Sequence, residues 1–224
     1  MAPVDEARYW ESRYRTRPSN RVSWFEEVPA MSLKLIEDSG IPHDAAIIDV
    51  GGGASRLAGE LLARGFTDVT VADLSPSALA IARADLEGDA GAISWVECDV
   101  RTHDFGWGFD LWHDRAVFHF MVEPGDRRAY LVNLRRSLRP LGFVVLATFG
   151  PDGPTTCSGL PVERYGKERM SDVLGDGFEL VEDELRIHPP PGGREQQFQY
   201  VLFRRLADSP HWPKAEPPGP AVAS

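Results

Sequence analysis

The chain has 224 residues, with a hydrophobic fraction of 42% and a charged fraction of 26%, ordinary values for one globular domain with short appendages. Its formal charge of -10 sets up a negative field that repels phosphate backbones and anionic lipid, so neither nucleic acid nor a membrane surface is an expected partner. Two cysteines, Cys98 and Cys157, are too few for a disulfide framework; with no secretory signal and no apolar run near the roughly 20 residues of a membrane span, the expected location is the cytoplasm.

In chain order, Glu6 to Tyr14 and Ser32 to Ser39 have helical spacing and flank Arg17-Pro-Ser-Asn-Arg-Val-Ser-Trp24, so residues 1–44 read as an N-terminal helical lid segment. From Ala45 onward, β-branched runs alternate with Ala/Leu-rich segments of helical period, the pattern of an α/β fold with a parallel sheet. Ala46 to Val50 is the first strand, and Ser55 to Arg64 a helix whose Leu57, Leu61 and Leu62 face the sheet. Val69 to Asp73 is the second strand, and Ser75-Pro76 opens the next helix as N-cap and first-turn proline, running to about Leu86. Ile93 to Cys98, Phe109 to His113 and Phe143 to Thr148 are the next three strands, with a helix from Arg127 to Leu138 before the last. Phe178 to Ile187 and Gln197 to Arg205, joined by His188-Pro-Pro-Pro-Gly-Gly193, read as a hairpin that places an antiparallel strand at the sheet edge. The domain thus spans residues 45–206, and the proline-rich tail 207–224 is expected to be disordered. Arg127-Arg128, Arg135-Arg136 and Arg204-Arg205 read as solvated faces.

The turn Asp49-Val-Gly-Gly-Gly-Ala-Ser55 joins first strand and first helix, where the backbone can approach a ligand and helix N–H groups are free. A dinucleotide fingerprint needs glycine at its first, third and sixth positions, and counting from Gly51 the sixth is Arg56, which argues against NAD. S-adenosyl-L-methionine (SAM) has no pyrophosphate and asks less of the turn: its ammonium suits Asp49, with Gly51, Gly52 and Gly53 beneath. Asp73, at the end of the second strand with Leu74 next, stands where an acid accepts both ribose hydroxyls. Asp99 follows the third strand, placed for the adenine amine, with Val100 as an apolar neighbour of the ring. The competing reading is that each acid caps the helix after its strand.

These residues resemble the class I SAM-dependent methyltransferase family over about Ala45 to Arg205, through Ile47-Ile-Asp-Val-Gly-Gly-Gly53, Val71-Ala-Asp-Leu-Ser75, Glu97-Cys-Asp-Val100 and Phe109-Asp-Leu-Trp-His-Asp-Arg115. The resemblance implies a Rossmann-like, doubly wound, seven-stranded sheet with its seventh strand antiparallel, SAM over the carboxyl ends of the early strands, and S-adenosyl-L-homocysteine as product. Ser55 stands where many members have a third alternate glycine. Trp112-His-Asp-Arg-Ala-Val-Phe-His-Phe120, Thr148-Phe-Gly-Pro-Asp-Gly-Pro154 and Cys157-Ser-Gly-Leu160 resemble, more narrowly, a bacterial branch similar to the citrate synthase lysine methyltransferase.

Methyl transfer is an in-line displacement at a sulfonium carbon, so the enzyme aligns the nucleophile and admits an amine uncharged, in a water-poor pocket with a carboxylate or imidazole nearby. His113, Asp114 and His119 after the fourth strand are the catalytic candidates; the alternative is a hydrogen-bonded structural role, and Arg115 reads as the partner of an acidic loop. Trp24 in the lid either covers the sulfonium or packs the N-terminal segment, Trp10 and Tyr14 read as packing, and His188 and Gln197 flank the hairpin loop. No metal is called for. The acceptor is open between a protein lysine and a small molecule with a nitrogen, oxygen or sulfur nucleophile, with a noncatalytic SAM-binding module as the third reading.

Overall fold

The computed structural model describes residues 5–16, 22–189 and 195–207. All but the first residue of the expected disordered tail, the first five residues of the 17–24 segment and most of the hairpin loop lie outside the described residues.

Helix α1 (Glu6–Thr16) and α2 (Ala30–Asp38) precede β1 (Ala46–Val50), α3 (Leu57–Ala63), β2 (Asp68–Asp73), α4 (Pro76–Asp85), β3 (Ile93–Glu97), β4 (Phe109–Arg115), α5 (Pro124–Ser137) and β5 (Leu138–Phe149). A small hairpin of β6 (Thr156–Cys157) and β7 (Leu160–Pro161) follows, then α6 (Lys167–Leu174), β8 (Phe178–His188) and β9 (Gln196–Arg205). The sheet runs β3-β2-β1-β4-β5-β9-β8. β1 to β5 pair in parallel, while β9 is antiparallel to both β5 and β8. The antiparallel strand therefore lies one place in from the edge. β8 takes the edge itself, and the chain folds back to insert β9 against β5.

β1 is buried along its whole length because helices cover both faces. Ile47 packs with Leu35, Ile36, Leu57, Leu61 and Leu79, from the helices before and between β1, β2 and β3. Ile48 and Val50 pack with Trp112, Tyr130, Leu134, Met170 and Leu174 on the other side. The order reverses between β1 and β4, so their carboxyl ends splay apart and leave a crevice at the switch point, where open α/β sheets bind ligands.

Ser75 begins α4 as expected: its Oγ accepts the Ala78 N–H at 3.1 Å, with Pro76 next. The same hydroxyl donates to Glu11 Oε2 at 2.8 Å, and Glu11 also takes the Ser77 hydroxyl at 2.5 Å, which ties α1 to the start of α4. Ser75→Ala should cost about 1 kcal/mol and lower Tm by roughly 2–4 °C in a chain of this size. A thermal melt checks this; an unchanged Tm would show that the cap contributes nothing.

One of the supposed solvated arginine pairs differs from expectation. Arg205 is only 2% exposed, its Nη1 donating to the carbonyls of Arg135 at 2.6 Å and Leu138, where α5 passes directly into β5. The guanidinium binds carbonyl oxygens that the end of a helix leaves without partners.

Candidate active site

The carboxyl ends of β1 to β4 surround a cavity of about 820 Å³, open mouth included. Val50 and Gly51 contribute from β1 and its turn, Asp73 and Leu74 from β2, Asp99 and Val100 from the segment after β3, and Arg115 to Val117 from β4 and the turn after it. Trp10 and Tyr14 of α1 line it with Trp24 and Phe120. A smaller cavity shares Tyr14, Trp24, Gly51 and Arg115 with the first, and adds Asp49, Gly52, Ser32, Glu26 and His113.

Each glycine of the turn is required by a different neighbour. Gly51 takes φ +66°, its N–H donates to the Ala72 carbonyl at 2.7 Å, and a methyl there would overlap Val117. A methyl on Gly52 would overlap Asp49 Oδ2, and one on Gly53 would lie 2.5 Å from Asp73 Oδ2 and 2.8 Å from Ala78 Cβ. The backbone is thus pressed against the two acids expected to bind the cofactor. Arg56 avoids the sheet because α3 starts only at Leu57; its guanidinium lies 5.7 Å from the centre of the Phe25 ring instead.

Asp49, His113 and Ser32 form a buried chain. Asp49 Oδ1 is 2.6 Å from His113 Nδ1, and His113 Nε2 is 2.8 Å from Ser32 Oγ. The imidazole thus bridges a carboxylate on one side and a hydroxyl on the other. Asp49 Oδ2 is buried with no hydrogen-bond partner. His113 therefore fixes a carboxylate with one free oxygen over the glycine turn, and it lines only the smaller cavity.

Asp73 lies at the cavity wall with Oδ1 accepting the Ser75 N–H at 2.8 Å. Desolvation pushes its carboxyl up to about 7, against the backbone N–H groups of Ser75, Gly53 and Leu74 that favour the charged form. Asp99 also lines the cavity, but its oxygens are engaged: Arg101 Nε lies 2.9 and 3.0 Å from them, and Nη2 reaches Oδ2 at 2.6 Å. Burial raises this carboxyl, and Arg101 more than offsets that, holding it below the usual range. The same guanidinium meets Glu6 of α1 at 2.9 Å. An adenine amine would have to share Asp99 with Arg101.

The catalytic candidates separate by strand alternation. β4 runs on to Arg115, two residues past the expected end, so His113 and Arg115 project to one face and Asp114 to the other. Asp114 is fully buried outside both cavities, accepting the Val117 N–H at 2.9 Å and the Tyr130 hydroxyl at 2.6 Å, and so closes the turn after β4. Desolvation raises its carboxyl to about 6. His119 is buried too, accepting the Phe149 N–H at 3.4 Å, and burial pulls it down to about 3, so its ring is neutral. Neither lines the cavity.

Arg115, Glu6, Arg101 and Cys157 line or edge the site without having been expected there. The alternation of Phe109 to His113, followed two residues further, would have found Arg115. The Cys157 position depends on the β6–β7 hairpin, for which two-residue strands leave no pattern. Above the site, Trp10 meets Phe120 and Trp24 edge-on at 5.1 and 5.9 Å, and Tyr14 meets Trp24 at 6.3 Å. His188 Nε2 lies 2.9 Å from the Ser23 carbonyl, holding this stretch to the end of β8, and Gln197 Oε1 accepts the Asp152 N–H at 2.9 Å rather than facing the cavity.

Among the described residues, no helix is long and apolar enough to cross a membrane, and no group of three or more His, Cys, Asp or Glu side chains is placed to hold a metal. The glycine cradle, the free oxygen of Asp49 and the wall position of Asp73 fit SAM. Residues 47–142 match the family model described as a methyltransferase domain. The chain is 28% identical over 190 residues to EEF1A lysine methyltransferase 2 of Danio rerio, covering 78% of this chain and 76% of that one. Against the Homo sapiens protein of the same name it is 27% identical over 168 residues, covering 71% of this chain and 65% of the relative. Solved structures with a similar fold include the Burkholderia thailandensis 1,6-didemethyltoxoflavin-N1-methyltransferase with S-adenosylhomocysteine, at TM-score 0.70 and 23% identity over 92% of this chain and 93% of that one. Another is the N-methyltransferase NodS of Bradyrhizobium japonicum with S-adenosylhomocysteine, at TM-score 0.69 and 18% identity over 90% and 99%. Residues 47–142 thus carry a methyltransferase domain, the relatives are methyltransferases, and the sheet order with its cavity at the switch point gives the fold of a SAM-dependent methyltransferase.

Proposed function

We propose that the chain methylates an amine nitrogen, with a protein lysine as the acceptor, in the cytoplasm. The observation that carries this reading is the aromatic cluster of Trp10, Tyr14, Trp24 and Phe120 on the cavity wall. Aromatic faces attract a cationic amine as it approaches and as it leaves methylated. The chain's formal charge of -10 favours a basic protein segment over an acidic one. The relatives named as lysine methyltransferases support the same acceptor, as does the narrower likeness to the citrate synthase lysine methyltransferase.

When bound, SAM would supply an electrophilic methyl on its sulfonium, the acceptor nitrogen's lone pair bonding to that carbon as the carbon–sulfur bond breaks and S-adenosylhomocysteine leaves. Asp49, Gly51, Gly52 and Gly53 hold the amino-acid end, Asp73 the ribose, and Leu74, Asp99 and Val100 the adenine. Of the expected lid, α1 with Trp10 and Tyr14 acts as the cover, with Trp24 over the sulfonium, while α2 belongs to the core. Among the described residues no histidine or lysine lines the larger cavity, and desolvation among its aromatic rings favours the uncharged amine as acceptor.

Incubation with methyl-labelled SAM and cell lysate tests the reading. Label recovered as methyl-lysine in a protein band is the expected result. Label confined to small extractable products would replace the acceptor with a small molecule, and no label with no S-adenosylhomocysteine binding would sink the enzyme assignment.

A further inference from the structure

Two side chains beside the aromatic wall carry hydrogen-bonding capacity that the fold does not use. Arg13 of α1 stands one turn after Trp10 and next to Tyr14, both on the cavity wall, and Ser158 follows Cys157, which lines the same cavity. Arg13 Nε and Ser158 Oγ are buried atoms without a hydrogen-bond partner. Folded proteins leave few such donors.

Arg13 is half-buried, and in a chain with 34 acidic side chains it takes part in no ion pair among the described residues. Its guanidinium lies 5.6 Å from the centre of the Tyr9 ring, and the Tyr9 hydroxyl donates to the Ser158 carbonyl, so one tyrosine joins the two unused donors. Ser158 sits at φ +55° in the β6–β7 turn, a left-handed conformation uncommon for serine. Its hydroxyl lies beside the Cys157 thiol without an aligned hydrogen bond. Burial pushes that thiol up to about 11, so it stays protonated, a weak acceptor that leaves the serine O–H available.

Both donors belong to the acceptor side, since β6 and β7 follow β5 whereas the acids assigned to the cofactor follow β1, β2 and β3. A guanidinium with a neighbouring hydroxyl is the complement of a carboxylate. We propose that Arg13 and Ser158 bind the side-chain carboxylate of an acidic residue flanking the acceptor lysine, so that the enzyme selects lysines with an acidic neighbour within two residues; this rests on the lysine reading above. The bound carboxylate also neutralises Arg13, which would otherwise repel the incoming ammonium. The chain's overall charge gathers basic segments, and Arg13 reads one acid within them.

Mass spectrometry of lysate labelled by the wild-type protein locates the acceptor lysines. The substrate protein labelled best, compared with a form whose flanking acid is changed to its amide, supplies the pair for kinetics. The acid-bearing form should have a kcat/KM about tenfold higher. Arg13→Gln should bring it down to the level of the amide form, while the amide form stays within about threefold and calorimetric affinity for S-adenosylhomocysteine is unchanged. Ser158→Ala should narrow the preference about threefold. Acceptor lysines without an acid within two residues, a preference that survives Arg13→Gln, or equal losses on both forms would overturn the proposal while the lysine reading stands. Label found only in small products fails the lysine reading and the proposal with it; a free carboxylate on those products would then be the ligand of Arg13. If Arg13→Gln does not fold, Arg13→Lys keeps the charge without the planar fork: a preference cut several-fold supports the assignment, and an unchanged preference overturns it.

Discussion

Asp73→Asn is expected to abolish measurable SAM binding and, at the same time, to raise the thermal stability of the empty protein above neutral pH. The first half follows from the role proposed for the acid at the end of β2: accepting both ribose hydroxyls would contribute about 1–3 kcal/mol per hydrogen bond. The second half follows from its burial. Desolvation lifts this carboxyl from an ordinary 3.8 to about 7 in the folded protein, so the folded state holds the proton more tightly than the unfolded chain does. The associated stability is fully present below about pH 3.8 and is lost as pH rises through about 7. At about 1.4 kcal/mol per pKa unit, the cost of ionisation reaches at most about 4 kcal/mol above pH 8. An asparagine never carries that charge and can still accept the Ser75 N–H, so a gain on the order of 1–2 kcal/mol at pH 8 is expected, shrinking toward pH 5. Melts of wild type and variant at the two pH values measure it. A variant destabilised equally at both would remove the burial argument. The wild-type affinity for S-adenosylhomocysteine should also rise with pH through about 7, as the acceptor carboxylate forms.

The parallel half of the fold was legible because each β-branched run is followed by a helix of clear period, and Ser75-Pro76 marks its own cap in both readings. The region after β5 was less so. α6 has only Met170 and Leu174 buried along eight residues, too few to set a period, although Gly175 at φ +70° marks its end. The β6–β7 hairpin turns at Ser158 and Gly159, both at positive φ, and only the glycine announces that. The antiparallel strand was visible as one arm of a hairpin, but which arm pairs with β5 depends on how α6 leads into β8.

At the site, the three acids and the glycines stand where strand ends were expected, since parallel strands bring their carboxyl ends to one side. What strand position did not convey is which lone pairs are already used. Asp99 is taken up by Arg101 two residues on, a pairing with no helical or strand spacing behind it. Asp114 and His119 looked alike as polar groups between apolar stretches. One extra residue pair in β4 turns Asp114 into the opposite layer, and His119 falls in a single 3-10 turn against Phe149. Polar residues bracketed by buried neighbours mark either a site or a satisfied core network, and only the partners decide between them.

Gly52→Ala should damage both the fold and the site, because its methyl would meet a pinned carboxylate. The added Cβ would overlap Asp49 Oδ2, stand 2.7 Å from Asp49 Cγ and 3.0 Å from Val71 Cγ1. A surface acid would rotate aside, but Asp49 is held by His113 at 2.6 Å, and His113 by Ser32 at 2.8 Å, all buried. Either the turn shifts and the amino-acid subsite is lost, or the carboxylate moves and leaves buried partners unpaired. The expected costs are about 1–3 kcal/mol of stability and about 100-fold or more in methyl transfer, the scale of an ångström-sized misplacement of a reacting group. A cycle with Asp49→Ala locates the cause. Once the carboxylate is gone, only the 3.0 Å approach to Val71 remains, so the same glycine change should cost less than half as much in denaturant unfolding. Additive costs across the cycle would mean that the turn fails for a reason other than the pinned carboxylate, and that the Ser32–His113–Asp49 chain does not fix the geometry of the site.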